Sequence, residues 1–371
     1  MLAATHLCVS VSRRHDVAMT GGRAVYSRNS MQNKIVTLAL QGGGSHGAFT
    51  WGVLDKLLED GRMRFEGISG ASAGAMNATV LAHGFNVGGR EGAREALAAF
   101  WGRIAIKEPF SFLPPEMMPG GTSLLTQTTP AAMHAFLAMT RFFSPTQLNP
   151  LDINPLRDIL QEQVDFERLQ RTGDIKLFIA ATRVSTGTLK IFRNRELTLD
   201  ALLASACLPS MHRPVEIDGE AYWDGGLTAN PPIFPLLHLC SSRDLLVVLL
   251  HPCSRPGTPT STHDIGQRLS EISFSSAFFT ELGGLALAKR EAESGMFAFG
   301  TLERRLKRLN MHLVEANDLM RQLDNMSKLN TKRSFIYGLH DEGRQAAERW
   351  MEKNFHTLGL KSSFDLGRYL Q

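Results

Sequence analysis

"KIVTLALQGGGSHGAFTWGVLDKLLEDG", Lys34 to Gly61, changes its hydrophobic period in the middle. Lys34 to Leu40 is a short apolar run closed by glycines, the pattern of a buried strand. After the glycines, Phe49, Val53, Leu54, Leu57 and Leu58 fall on one helical face, and Gly61 supplies a stop. Glycine is the poorest ordinary helix former, so Gly42, Gly43 and Gly44 serve the backbone at the junction rather than the helix. The next segment, "FEGISGASAGAMNATVLAHG", reads as strand, sharp turn and small-residue helix, with Gly84 as its end. Strand–helix–strand–helix predicts an α/β fold with a mostly parallel central sheet sandwiched between helices.

Composition narrows the class of protein. The chain has 371 residues, 43% of them apolar, and a formal net charge of +4 from 40 basic and 36 acidic side chains. That charge is too small to argue for nucleic acid and is compatible with peripheral contact at an anionic membrane surface. No run of 18 apolar residues spans a bilayer. Cys8, Cys207, Cys240 and Cys253 form no short-spaced pair, which reads as reduced thiols in a cytoplasmic protein. Residues 1–33 carry Arg13, Arg14, Arg23 and Arg28 against Asp16 and lack a secretory apolar core. They read as a disordered tail, or as a start chosen upstream of Met31.

Farther along, residues of about 103–155 are rich in Pro, Met and Phe and read as an apolar excursion: a lid or wall, or core helices covering the sheet. "IKLFIAATRVSTGTLKIFRN" predicts two strands about a turn at Ser185 to Gly187. "LTLDALLASACLP" reads as a helix stopped by Pro209, and Asp244 to Pro252 as another buried strand. Ile265 to Gly295 reads as helix, "NMHLVEA" as a strand and "HDEGRQAAERWMEKNF" as a final amphipathic helix. The basic run Arg304, Arg305, Lys307 and Arg308 reads as a solvated helix face, with anionic lipid contact as the alternative.

The chemistry centres on Gly70-Ala71-Ser72-Ala73-Gly74, a G-x-S-x-G turn with a strand before it and a helix after it. Such a turn exposes a serine hydroxyl in a strained backbone, and its small neighbours Gly70 and Gly74 let strand and helix approach. Ser72 is therefore the candidate nucleophile. It needs a base. His212, His238, His251 and His263 lie downstream, but none sits in a motif and each reads as structural. Asp224, in "YWDGGLTANPP", precedes Gly225 and Gly226. Asp-Gly is ordinary turn chemistry, yet an aspartate can act as base if burial raises its pKa toward neutrality. Gly42, Gly43, Gly44 and Ser45, between strand and helix, suit an oxyanion hole, where each backbone donor is worth about 10²–10³ in rate. The lysine of a phosphate loop and the spacing of a dinucleotide loop are both missing.

Together, Gly42-Gly43-Gly44-Ser45-His46-Gly47, the elbow at Ser72 and Asp224-Gly225-Gly226 resemble the patatin-like phospholipase family. The likeness extends to the block "ASACLPSMHRPVEIDGEAYWDGGLTANPP", with Ser205, Pro209, Pro214 and Asn230, and covers about Ile35 to Leu237. The resemblance implies a catalytic domain over 35–237, with 238–371 completing the sheet and adding a mainly helical region. It also implies a Ser72–Asp224 dyad, an oxyanion hole over Gly43–Ser45, a lipid acyl ester as substrate, and no metal or cofactor. Many members carry Arg or Lys where this chain has His46. Either the His46 side chain faces away from a hole made by backbone alone, or it adds a titratable charge there. Two other readings stand beside this one: an α/β-hydrolase with a Ser-His-Asp triad, and a catalytically idle lipid-binding regulator on the same fold.

Overall fold

The computed structural model describes residues 33–106, 142–252, 254, 257–295, 300–315 and 317–369. The N-terminal tail to residue 32, the greater part of the apolar excursion (107–141), Cys8 and Cys253 lie outside the described residues.

Eight strands form one sheet: β1 Lys34–Leu40, β2 Met63–Gly70, β3 Lys176–Arg183, β4 Leu189–Arg193, β5 Val215–Ile217, β6 Glu220–Asp224, β7 Asp244–Leu249 and β8 Asn310–Glu315. Their order is β5-β6-β3-β2-β1-β7-β8, with β4 paired to β3. The pairings β3–β2, β2–β1, β1–β7 and β7–β8 are parallel. Those of β4 and β6 with β3, and of β5 with β6, are antiparallel. Helices α1 Gly47–Asp60 and α2 Ala73–Ile106 follow β1 and β2. The short α3 Pro145–Leu148, α4 Pro155–Gln163 and α5 Phe166–Arg171 precede β3, and α6 Leu199–Ser205 follows β4. The rest are α7 Phe234–Leu239, α8 Thr262–Ser294, α9 Thr301–Arg308, α10 Asn317–Gln322 and α11 Arg333–Asn354.

A strand covered on both faces loses the polar alternation of a half-exposed one. β7 is buried along its whole length. Leu246 and Val248 pack into the cluster that holds α1, α2 and α11, while Leu245, Val247 and Leu249 pack against α7, α8 and α9. The molecule is thus a mostly parallel sheet with helices around it, the expected class. β7 and β8 come from beyond residue 237 and complete that sheet.

Local expectations met tertiary packing in three places. Gly61 does end α1, in the left-handed conformation at φ 74° with its N–H on Leu57. Gly84 does not end a helix. α2 continues past it and breaks only at Gly88-Gly89, so that Gly84 packs against Gly92 across the turn. A Cβ on Gly84 would lie 2.3 Å from the Gly92 carbonyl, so this glycine serves close packing rather than termination. The basic run at 304–308 is likewise not a wholly solvated face. Arg305 donates to the Leu237 carbonyl at 2.8 Å and also to His238, and Lys307 donates to Gly295 at 2.6 Å, so both cations cap helix C-termini, those of α7 and α8. At the other end of α7, which has no cap of its own, half-buried Glu281 from α8 accepts the N–H groups of Ile233 and Phe234.

α1 and α11 cross at unusually close range. A Cβ on Gly52 would lie 1.9 Å from the His340 carbonyl, and one on Gly343 would lie 2.1 Å from the Phe49 carbonyl. The crossing is tied by Asp55, which pairs with Arg94 at 2.7 Å and with Arg344, and whose carboxyl these guanidiniums and His340 hold well below the usual carboxylate range.

Candidate active site

The parallel register sets Leu40 of β1 beside Gly70 of β2, so the loops that leave these strands emerge side by side at the carboxyl edge of the sheet. Ser72 stands at the turn with φ 52°, a strained left-handed backbone for a residue with a side chain. Its N–H is anchored on Ser205, carbonyl and hydroxyl both at 3.0 Å. The flanking glycines make the turn sterically feasible: a Cβ on Gly74 would lie 2.1 Å from the Leu40 carbonyl, and one on Gly70 would lie 2.5 Å from Gly74. Gly42 is equally constrained, since its Cβ would meet the Ala71 carbonyl at 2.5 Å and the Ser72 side chain at 2.8 Å.

Asp224 ends β6, opposite Ala181 near the carboxyl end of β3. Its backbone N–H donates to Cys207 at 2.8 Å, and Gly225 lies too close to Ala180 for any side chain. One carboxyl oxygen, Oδ1, accepts the Gly226 N–H at 2.7 Å; Oδ2 has no full hydrogen bond and is buried. Burial pushes the Asp224 carboxyl up to about 7, against the opposing pull of the Gly226 N–H and the adjacent Ser72 side chain. The structure therefore brings Ser72, the glycine loop and Asp224 together.

The loop differs from the sequence expectation at Gly42. Its N–H donates to Asn230 Oδ1 at 2.6 Å and so is already taken, which removes Gly42 from the oxyanion donors. Among the described residues no acceptor takes the N–H groups of Gly43, Gly44 or Ser45. Asn230, Gln41 and Ser205 carry this framework. Gln41 Nε2 donates to the Asn230 carbonyl, and Gln41 Oε1 accepts the N–H groups of Leu250 and His251. Ser205 and Asn230 lie in the quoted block, but nothing in the sequence assigns them these partners. Gly47 packs against Ala73, and its carbonyl accepts from Asn77 at 3.0 Å.

His46 is buried with 3% exposure. Burial first, then the charge of Lys328, lower its pKa to about 3, so it is neutral at physiological pH. Its Nε2 lies 2.7 Å from Ser327 Oγ, whose own proton goes to the Asp324 carbonyl at 2.6 Å; Nε2 is therefore the protonated nitrogen. Of the two readings of His46, these contacts favour the one without a titratable charge: the desolvated ring is hydrogen-bonded to the turn Asn325–Leu329. Of the other histidines, His212 lines the pocket beside Ser72, with burial lowering its pKa, and hydrogen bonds to neither Ser72 nor Asp224.

A cavity of about 290 Å³ opens over Ser72. Its wall is mainly apolar, with Phe100, Trp101 and Ile104 from α2 and Leu156 and Ile159 from α4, beside Gly44, Ser45 and Lys328. Among the described residues no cluster of His, Cys, Asp and Glu has the arrangement of a metal site. Nor is any helix among them long and apolar enough to cross a membrane. Cys207 and Cys240 are buried free thiols, pushed up to about 12 by burial.

No curated protein matches this sequence. Among solved structures, VipD from Legionella pneumophila is a distant neighbour: 14% identity over 86% of this chain and 67% of that one, with a TM-score of 0.40. A family description, patatin-like phospholipase, matches residues 38–237, which is more than half of the chain and takes in the glycine loop, the serine elbow and Asp224. The chain belongs to the patatin-like phospholipase family.

Proposed function

We propose that this protein is a serine hydrolase of lipid acyl esters that works through Ser72 and Asp224. Membership of the family supports lipid acyl hydrolase activity in general. The observation that carries the finer reading is Asp224: a buried carboxyl beside the serine, with one oxygen unpartnered and a pKa near 7. A general base is most effective when its pKa lies near the working pH.

Ser72 Oγ attacks the ester carbonyl as its proton passes to Asp224. The carbonyl oxygen becomes an oxyanion, held by the N–H groups of Gly43, Gly44 and Ser45 at the N-terminal approach to α1. Collapse expels the alcohol, which takes the proton back from Asp224, and leaves an acyl-Ser72 ester. Water then attacks this ester with Asp224 again as base; as the acyl–Oγ bond breaks, Asp224 returns the proton to Ser72 Oγ and the acid departs. The apolar wall of Phe100, Trp101, Ile104 and Ile159 houses the acyl chain. The region 35–237 carries the chemistry, and peripheral contact with the membrane surface gives access to substrate.

A fluorophosphonate probe tests this directly: it labels Ser72 in the wild type and leaves Ser72→Ala unlabelled. Hydrolysis of short-chain esters and vesicle lipids, measured side by side, is expected to vanish in Ser72→Ala. Full activity in that variant overturns the proposal.

A further inference from the structure

The N–H groups of Gly43, Gly44 and Ser45 lie between two tethers. Before them, the Gly42 N–H is held by the Asn230 side chain at 2.6 Å. After them, the 3₁₀ turn Gly44–His46 closes as the Gly47 N–H bonds to Gly44 and Ser45, so one tight turn joins the His46 ring to the donor backbone. That ring is buried, its Nδ1 has no partner among the described residues, and its Nε2 meets Ser327 Oγ at 2.7 Å. Among the described residues Ser327 is therefore the one polar anchor of the ring. Phe335 packs beside it, ring centroids 6.2 Å apart, without a hydrogen bond.

The anchor is itself fixed, although it lies in the turn Asn325–Leu329, outside residues 38–237. Asp324 accepts the Ser327 N–H at 2.8 Å through its carboxylate and the Ser327 hydroxyl proton at 2.6 Å through its carbonyl. With that proton committed, Ser327 Oγ accepts from His46, and the ring is held in one orientation. Asn325 donates to the Gln267 carbonyl and Gln267 to the Leu323 carbonyl, which ties the turn to α8. α8 also carries Phe274, whose carbonyl accepts from the Asn230 side chain at 3.1 Å. Both tethers of the donor loop thus return to one helix. Nor is there slack between turn and loop: a Cβ on Gly44, at φ 58°, would lie 2.3 Å from the Lys328 backbone carbonyl.

We propose that Ser327 is a positioning residue for the oxyanion donors and acts through His46, which serves as a neutral strut between the C-terminal region and the glycine loop. This rests on the acyl-hydrolase reading above. Oxyanion donors work on the transition state, and a small misplacement lowers the rate of the chemical step while leaving the binding of substrate almost untouched. The signature of the strut is therefore a split between kcat and KM. A bond that merely fastened the C-terminal region to the core would change stability and leave both constants alone.

The test compares turnover of a soluble short-chain ester by wild type, Ser327→Ala and Ser327→Thr, with rates taken per Ser72 labelled by the fluorophosphonate probe. In Ser327→Ala kcat is expected to fall about tenfold while KM stays within about twofold. Ser327→Thr keeps the hydroxyl and is expected to restore most of the rate. An unchanged kcat in Ser327→Ala, with or without a lower melting temperature, overturns the proposal, and so does a loss that threonine fails to restore. His46→Leu tests the route: if Ser327 acts through the ring, Ser327→Ala costs no further kcat in a His46→Leu background. Two losses that multiply overturn it. Backbone hydrogen exchange needs no substrate. Faster exchange over Gly43–His46 in Ser327→Ala, with β2 unchanged, supports the anchor even if the wild type hydrolyses no ester, which would sink only the hydrolase reading. Unchanged exchange there, or an equal acceleration in β2, overturns it.

Discussion

The glycines at 42–44 and the one at Gly52 belong to a single stretch, eight residues apart at the nearest, and serve different surfaces. Gly42 and Gly44 are pressed by backbone that belongs to the site: the elbow at Ala71–Ser72 on one side, the Lys328 carbonyl on the other. Gly52 is pressed by α11, a packing element with no part in the chemistry, and the pressure is returned at Gly343. In the proposed mechanism the closeness of the loop holds donors at the serine, while that of the helix brings two helix backbones together. The difference teaches that a missing Cβ reports close approach, while the partner decides whether the approach concerns reaction or stability.

The sharpest way to break this division is Asp224→Asn, which should act on rate and stability in opposite directions. Loss of the base is expected to lower kcat/KM for ester hydrolysis about 10³-fold or more. In the wild type the rate should rise with pH through about 7, because Asp224 must be deprotonated to accept the proton. The same residue costs stability. Its folded pKa of about 7 stands above the ordinary 3.8, so the folded state holds its proton longer than the unfolded chain does, and stability falls as pH rises from about 4 through 7. Asp224→Asn should therefore unfold later than wild type at pH 8, by roughly 2–4 kcal/mol, with the gap closing toward pH 4. Denaturant titrations at the two pH values check it; a gap that widens toward acid would refute the assignment.

Next in size, Gly42→Ala drives a methyl into the elbow and is expected to cost about 100-fold in kcat, since displaced donors miss the oxyanion. Retention of the wild-type rate would mean that the loop tolerates displacement. Gly52→Ala is the counterpart: about 2–3 kcal/mol of stability lost through overpacking against α11, with the rate per folded molecule kept. Thermal melts read beside active-site titration by the fluorophosphonate probe distinguish the two. If Gly52→Ala lost rate and kept its melting temperature, the comparison would collapse. The smallest effect is expected for His46→Gln. Because His46 is already neutral, the midpoint of the pH–rate profile should stay where it is, and a moved midpoint would restore His46 to the chemistry.

How much of this was legible beforehand depended on range. β1, α1 and its Gly61 stop, and the β3–β4 pair around Gly187 follow from neighbours within one turn or one strand, and the sequence pattern places them correctly. Gly84 reads as a terminus in the sequence because a glycine in a helical run looks like one until the partner, Gly92 across the turn, is in view. α6 ends at Ser205, short of Pro209, since Ser205 is drawn to the elbow rather than stopped by the proline. The engagement of the Gly42 N–H by Asn230 joins residues 188 positions apart, and no local pattern encodes it. The same holds for His46, whose neutral state follows from burial against the turn at Ser327. Ser72 and Asp224 were legible as residue types in motifs; the raised pKa that makes an aspartate eligible as base belongs to the folded environment.

The sheet order has a bearing on how the molecule can be cut. The family match stops at residue 237, inside α7, while β1 takes β7 as its second neighbour along Val36 to Leu40. A fragment ended there would turn β1, an interior strand of the sheet, into an open edge, with a row of unpaired peptide groups and an uncovered apolar face. The recognisable segment is thus an evolutionary unit and not a self-sufficient folding one. Any minimal version of this protein has to retain the strands and helices that follow it.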